Sequence, residues 1–233
     1  MTGKNIFSGD NFDSELLFFD NRVREDMLIT DADFTRKTDA MTAGDPLRLV
    51  FGGRLIAMKG VQDLPRFAHA LQQRGVPFTL DIYGGGPLQS ALEQQIATLG
   101  LGDVVRLCGV RDFETGWVPV LKEQSDLFVC CHPQGDPSST YPEVMACGVP
   151  IVGYDNEALT GIVAHSQGGW ATPSGDVAAL ADKVAALHQD RQALRNTAQA
   201  ARSFARQHAF EPTMARRTAH LIAASRLPDA LKG

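Results

Sequence analysis

The sequence predicts an α/β protein: a Rossmann-like parallel sheet of about six strands covered by helices. From residue 47 onward, short apolar runs alternate with segments of helical period, the runs have strand length, and glycine-bearing turns follow several of them. With 233 residues, 44% hydrophobic and 21% charged, the chain has ordinary globular composition and enough apolar side chains to bury a core.

The first strand is Leu47-Arg48-Leu49-Val50-Phe51, and the helix after it places Val61, Leu64, Phe67 and Leu71 on one face. Phe78-Thr79-Leu80-Asp81-Ile82-Tyr83 is the second strand, followed by a helix with Leu88, Leu92, Ile96 and Leu99 in line and Gly100 as its stop. Val104-Val105-Arg106-Leu107, Leu127-Phe128-Val129-Cys130 and Pro150-Ile151-Val152-Gly153-Tyr154 continue the series, and Gly169-Trp170-Ala171 is its weakest member. Val177, Leu180, Val184 and Leu187 repeat the helical spacing. A further helix runs from Arg191 to His208, where alanine is abundant and Gly and Pro are missing, and a last one starts near Pro212 with Met214, Leu221 and Ile222.

Residues 1–46 differ, since Leu16-Leu17-Phe18-Phe19 and Met27-Leu28-Ile29 are short apolar runs in a polar stretch too short for a typical second domain. The chain therefore divides into a less regular segment 1–46, either a strand or helix packed against the main domain or an N-terminal remnant or interdomain piece, and a domain 47–233.

The net charge of -5 offers no counter-charge to a phosphate backbone, which argues against nucleic acid. No apolar run approaches the roughly 20 residues that span a bilayer, and the polar start lacks a signal-peptide core, so the expectation is a cytoplasmic protein without a transmembrane segment. Cys108, Cys130, Cys131 and Cys147 form no CxxC pair and sit in or beside apolar runs, as reduced, buried thiols do. Cys130-Cys131-His132 reads as a strand end, because neighbouring side chains on a strand point to opposite faces. Asp31-Ala32-Asp33 has the form of a metal-binding DxD, but its polar surroundings make it a solvated acidic patch, and no metal site is expected.

Three passages carry possible chemistry. In Gly52-Gly53-Arg54-Leu55-Ile56-Ala57-Met58-Lys59-Gly60 a glycine turn with two cations precedes a helix, which suits a diphosphate as well as it suits a solvated loop with incidental charges. Gly84-Gly85-Gly86-Pro87 follows the second strand, where open α/β sheets place ligands, although glycine there also serves a tight turn. It is not the GxGxxG of a dinucleotide fold. After the fourth strand, a loop through Gly135, Asp136, Ser138 and Ser139 opens a short helix with Thr140 and Glu143 in its first turn, ended by Gly148. Amides at Ser139 and Thr140 would meet a phosphate or sugar hydroxyl, and Glu143 a ribose diol. The competing reading is a capping box, Thr140-x-x-Glu143, in which the carboxylate only satisfies a helix end.

Taken together and in order, these passages resemble the donor domain of GT-B glycosyltransferases of the retaining family four type, over residues 47–222. Gly53-Arg54-Leu55 with Lys59-Gly60 is similar to that family's phosphate turn, Gly84-Gly85-Gly86-Pro87 to its second glycine loop, and Cys108-Gly109-Val110 to its base-contacting loop. Glu143-Val144-Met145-Ala146-Cys147-Gly148-Val149-Pro150 resembles its glutamate motif. The resemblance implies a nucleoside-diphosphate sugar as donor, with no cofactor and no essential metal. Arg54 and Lys59 would hold the diphosphate, Glu143 the ribose, and the base would lie near Val110 and Arg111. The family's second glutamate, eight positions earlier, is Gly135 here, with Asp136 the nearest carboxylate. The family's acceptor domain has no counterpart before residue 47, which implies a truncated enzyme, a partner chain carrying the acceptor domain, or a non-catalytic nucleotide-sugar-binding module. A GT-B-like sugar-nucleotide epimerase would equally need two domains.

Overall fold

The computed structural model describes residues 16, 18–19, 22–42, 44–135 and 138–225. Among these, the strands are β1 (Leu47–Gly52), β2 (Phe78–Tyr83), β3 (Val105–Gly109), β4 (Leu127–Cys130), β5 (Ile151–Tyr154) and β6 (Gly169–Thr172). They form one sheet in the order β3-β2-β1-β4-β5-β6, with every pairing parallel. Each run predicted as a strand is one. The order could not be read from the runs themselves. It reverses direction between β1 and β4, and the crevice outside the carboxyl ends of the strands at such a switch point is where open sheets bind ligands.

The described helices are α1 (Asp31–Asp39), α2 (Leu64–Gln73), α3 (Gln89–Thr98), α4 (Val118–Gln124), α5 (Thr140–Ala146), α6 (Glu157–Ser166), α7 (Val177–Gln189), α8 (Arg191–Gln207) and α9 (Phe210–Ser225). They cover the sheet, which is why β4 and β5 are buried at every position and read as continuous apolar runs. Phe51 on β1 stacks on Phe128 of the neighbouring β4 with ring centroids 6.1 Å apart. Each fully buried side chain of this kind contributes roughly 1.5–3 kcal/mol relative to exposure.

The described part of the segment before residue 47 is more regular than its composition suggested. Thr30 caps α1 by accepting from the Asp33 amide, and the helix is held by polar contacts that no apolar stripe announces. Lys37, buried, donates from Nζ to the Leu121 carbonyl at 2.7 Å and the Cys147 carbonyl at 3.1 Å, so one ammonium serves carbonyls of α4 and of the residue capping α5. Asp31 is bonded by Arg202 and Arg206 of α8, and Asp33 by Thr30 and Arg36, so both carboxylates of the DxD-like triplet are engaged by the protein itself. Val23, Met27 and Met41 join the main core. Ile29 and Phe34 pack with Ala198.

Candidate functional site

At the carboxyl ends of β1 and β2 the two glycine turns mesh backbone to backbone. The Gly53 amide donates to the Tyr83 carbonyl at 3.0 Å, Leu55 to Gly85 at 3.0 Å, and Leu88 to Leu55 at 3.1 Å. Gly84 has φ +129°, and a β-carbon there would lie 1.8 Å from the Gly53 carbonyl oxygen. Glycine is thus required at this turn for the approach of two main chains, and the Gly53 and Leu55 amides are already engaged.

The wall beside these turns is aromatic. A π-helical turn, Phe113–Trp117, follows β3 and starts where the Asp112 carboxylate accepts from the Glu114 and Thr115 amides at 3.1 and 2.9 Å. It delivers Trp117 against Tyr83, ring centroids 5.5 Å apart. Gly52 makes room for the indole, since a β-carbon there would sit 2.4 Å from Trp117 Cη2.

Glu143, in the first turn of α5, closes the opposite side. Its side chain is 4% exposed, and Arg22 Nε donates to its Oε1 at 3.2 Å. Burial pushes the Glu143 carboxyl up from the ordinary glutamate range, while Arg22 and the Ser139 hydroxyl act against that shift. The capping box does not form: Ser139 precedes the helix in helical conformation without a side-chain cap bond, and Thr140 is already the first helical residue. With no cap to serve, Glu143 directs its carboxylate to Arg22. The Arg22 guanidinium in turn lies 3.8 Å from the centroid of Phe113.

These elements line an open cavity of about 330 Å³ formed by Arg22, Gly52, Gly53, Arg54, Tyr83, Gly84, Gly85, Val110, Arg111, Phe113, Trp117, Thr140 and Glu143. Cations and one buried carboxylate share it with an aromatic wall, a combination suited to an anion linked to a planar ring and a diol.

The family profile for glycosyl transferases group 1 matches residues 35–204. The chain belongs to that family. Amylovoran biosynthesis glycosyltransferase AmsK of Erwinia amylovora is 30% identical to it over 150 residues, which are 62% of this chain and 36% of AmsK. N-acetyl-alpha-D-glucosaminyl L-malate synthase of Bacillus anthracis is 29% identical over 146 residues, covering 62% of this chain and 37% of that enzyme. This glycosyltransferase domain thus spans little more than a third of the length of these curated relatives. Among solved structures, Anabaena Alr3699/HepE in complex with UDP and glucose aligns with a TM-score of 0.69 at 23% identity, over 90% of this chain and 56% of that one. Sucrose-phosphate synthase from Thermosynechococcus elongatus aligns with the same TM-score at 22% identity, over 88% of this chain and 52% of that one. The fold is therefore Rossmann-like α/β, that of one half of the GT-B fold.

Of the residues singled out in the sequence, the glycosyltransferase domain brings Gly53, Arg54, Gly84, Gly85, Val110, Thr140 and Glu143 together around the cavity. Ser139 adjoins it through Glu143. Lys59 ends a 3-10 turn, Ala57–Lys59, and is not among the lining residues. Asp136 lies outside the described residues. Gly135 packs on α6, where a β-carbon would meet Glu157 Cβ at 3.1 Å. Val110, 76% exposed, forms an apolar lip.

Sequence reasoning missed Arg22, Tyr83, Phe113 and Trp117. Tyr83 had a signal, because it ends a predicted strand, and Phe113 and Trp117 lie in the segment that leaves the third strand; Arg22 had none, lying 121 residues from its partner. All four cysteines are free, with Cys130, Cys131 and Cys147 buried and Cys108 half-buried. Cys130 Sγ lies 3.1 Å from the Tyr141 hydroxyl, which lies 3.2 Å from His132 Nδ1. Burial pushes the Cys130 thiol up to about 11 and Cys147 to about 12, so both stay protonated at neutral pH. No helix among the described residues is long and apolar enough to cross a membrane.

Proposed function

We propose that this domain binds the donor of a retaining glycosyltransferase, a nucleoside-diphosphate sugar whose sugar passes to an acceptor held by a second domain or a separate chain. The observation that carries this reading is the joint lining of one cavity by Arg54 and the buried Glu143 at the carboxyl edge of the sheet. Arg54 faces the diphosphate, with Lys59 on the adjoining turn as a second cation; Glu143 accepts from the ribose hydroxyls. The base lies toward Val110 and Arg111. Charge developing on the departing diphosphate is met by these cations, the role a divalent metal plays in other glycosyltransferases. The UDP complex of Alr3699/HepE supports a nucleoside-diphosphate ligand.

Residues 1–46 fit an interdomain segment in this scheme and 47–233 the donor domain. Asp136 stands nearest the position where the resembling family carries its sugar-contacting carboxylate. Because the chain spans 36% of AmsK, transfer is expected to be absent or very slow without an acceptor-binding partner, which would position a hydroxyl at the anomeric carbon. Calorimetry with uridine and guanosine diphosphates, alongside product analysis with a labelled nucleotide sugar, separates the possibilities. Binding without turnover is the expected result. Failure of both diphosphates to bind overturns the reading, and rapid transfer by the chain alone overturns the need for a second domain.

A further inference from the structure

Arg22 belongs to none of the motifs that mark the donor site, yet it lines the same cavity. Two contacts set the plane of its guanidinium: the Phe113 ring under one face, 3.8 Å from the centroid, and Glu143 Oε1 at the edge, 3.2 Å from Nε. The chain that follows it is fixed as well. Val23 is buried, its carbonyl accepts from the Phe210 amide at 2.8 Å, and Arg24 Nη1 donates at 2.9 Å to Glu114, the residue after Phe113. The Arg22 side chain is nevertheless 65% exposed and lines the cavity, so its guanidinium remains accessible to a ligand there. A guanidinium plane stacks on a nucleobase as it does on an aromatic side chain. Glu143 spends one oxygen on Arg22 and keeps acceptor capacity for a diol, since a carboxylate offers several lone-pair sites.

We propose that Arg22 is a specificity-determining residue of the donor site, its guanidinium forming the wall on which the base of a nucleoside diphosphate stacks while its Nε holds Glu143 in place for the ribose. This rests on the donor-site reading above. It assigns to the segment ahead of the sheet a share in ligand recognition.

Titration of the full chain with uridine diphosphate, guanosine diphosphate and inorganic pyrophosphate, for the unmodified protein, Arg22→Ala and Arg22→Lys, tests the assignment. Loss of a stacking wall predicts that Arg22→Ala weakens the better nucleotide roughly five- to a hundredfold, with pyrophosphate, measured by displacement of that nucleotide, held within about twofold, because Arg54 faces the diphosphate. Arg22→Lys keeps the charge and loses the plane, so it should also weaken the nucleotide; it keeps the test open should the alanine variant misfold. Tighter nucleotide binding in Arg22→Ala would make Arg22 a place-holder that the ligand displaces, and equal losses for nucleotide and pyrophosphate would make it a general counter-charge. Either result overturns the proposal, as does unchanged nucleotide binding. If neither nucleotide binds the unmodified chain, the donor-site reading fails and this assignment with it.

Discussion

Glu143→Gln separates ligand chemistry from fold at the centre of the cavity, because it keeps the side chain's size and removes its charge. The stability term is small. Glu143 is 4% exposed but its partner Arg22 is 65% exposed, and an ion pair with one solvated member contributes about 0–1 kcal/mol. Burial raises the Glu143 carboxyl, so the folded state holds that proton more tightly than the unfolded chain does. A raised folded pKa favours folding below the unfolded value, and the advantage is lost as pH rises through the folded one. At neutral pH the native protein carries a buried charge that the amide variant does not, so Glu143→Gln should melt at or above the native temperature, with the gap closing on acidification.

The ligand term is larger. Losing a charged acceptor for ribose hydroxyls removes about 1.5–3 kcal/mol, or roughly ten- to more than a hundredfold in Kd. Calorimetry with a nucleoside diphosphate reads the second effect, and thermal melts across about pH 4.5–8 read the first. Unchanged affinity would refute the ribose assignment. Destabilisation beyond about 2 kcal/mol at neutral pH would refute the weak-pair argument and make Glu143 a structural residue.

Arg54→Ala removes an exposed cavity cation and should weaken diphosphate binding about ten- to a hundredfold with an unchanged melting temperature, checked by calorimetry and circular dichroism. Gly84→Ala places a β-carbon 1.8 Å from the Gly53 carbonyl at φ +129° and should lower the melting temperature by roughly 5–10 °C or prevent folding, read by the same melts. Burial pulls the Lys37 amine down to about 7, so between about pH 7 and 10 the unfolded chain binds the proton that the folded chain has released, and Lys37's contribution to stability rises with pH. Lys37→Met should therefore lose ground to the native protein as pH increases across that window; the slope of the difference in denaturant midpoints is the readout, because the offset also contains the lost bonds to Leu121 and Cys147.

What the sequence made legible was what local pattern determines. Strands such as Leu127–Cys130 are apolar throughout because both sheet faces are covered, and α2 and α7 declare themselves by spacing. A helix packed on the main domain was one option for the segment before residue 47, but α1 could not be placed because its burial rests on Lys37, Thr38 and Phe34, with the lysine nitrogen meeting carbonyls that another part of the chain provides. Local pattern also misled. Thr140-x-x-Glu143 has the letters of a capping box, but the helix begins one residue too early for Thr140 to cap it. The glycines of the first two turns were placed correctly, while the close contact at Gly84 comes from two turns meshing, which neither turn's sequence contains.

The charge pattern of the cavity follows the same logic. The whole chain carries -5, which by itself argues against an anionic ligand. Folding brings Arg22, Arg54 and Arg111 to one cavity with Glu143. Glu143 offsets Arg22, leaving two cations uncompensated among the lining side chains: Arg54, where the diphosphate is proposed to lie, and Arg111, toward the base. A concave site walled by Tyr83, Phe113 and Trp117 focuses that local field, so an acidic protein can still attract a multiply charged anion to one place on its surface. Neutralising Glu143 therefore does two opposing things: it raises the positive potential felt by the phosphates and removes the acceptor for the ribose. The two separate by ligand, since inorganic pyrophosphate should bind Glu143→Gln at least as well as the native chain while the nucleoside diphosphate binds it less well. Parallel losses for both ligands would show that Glu143 shapes the phosphate end of the cavity and would overturn this division of the site.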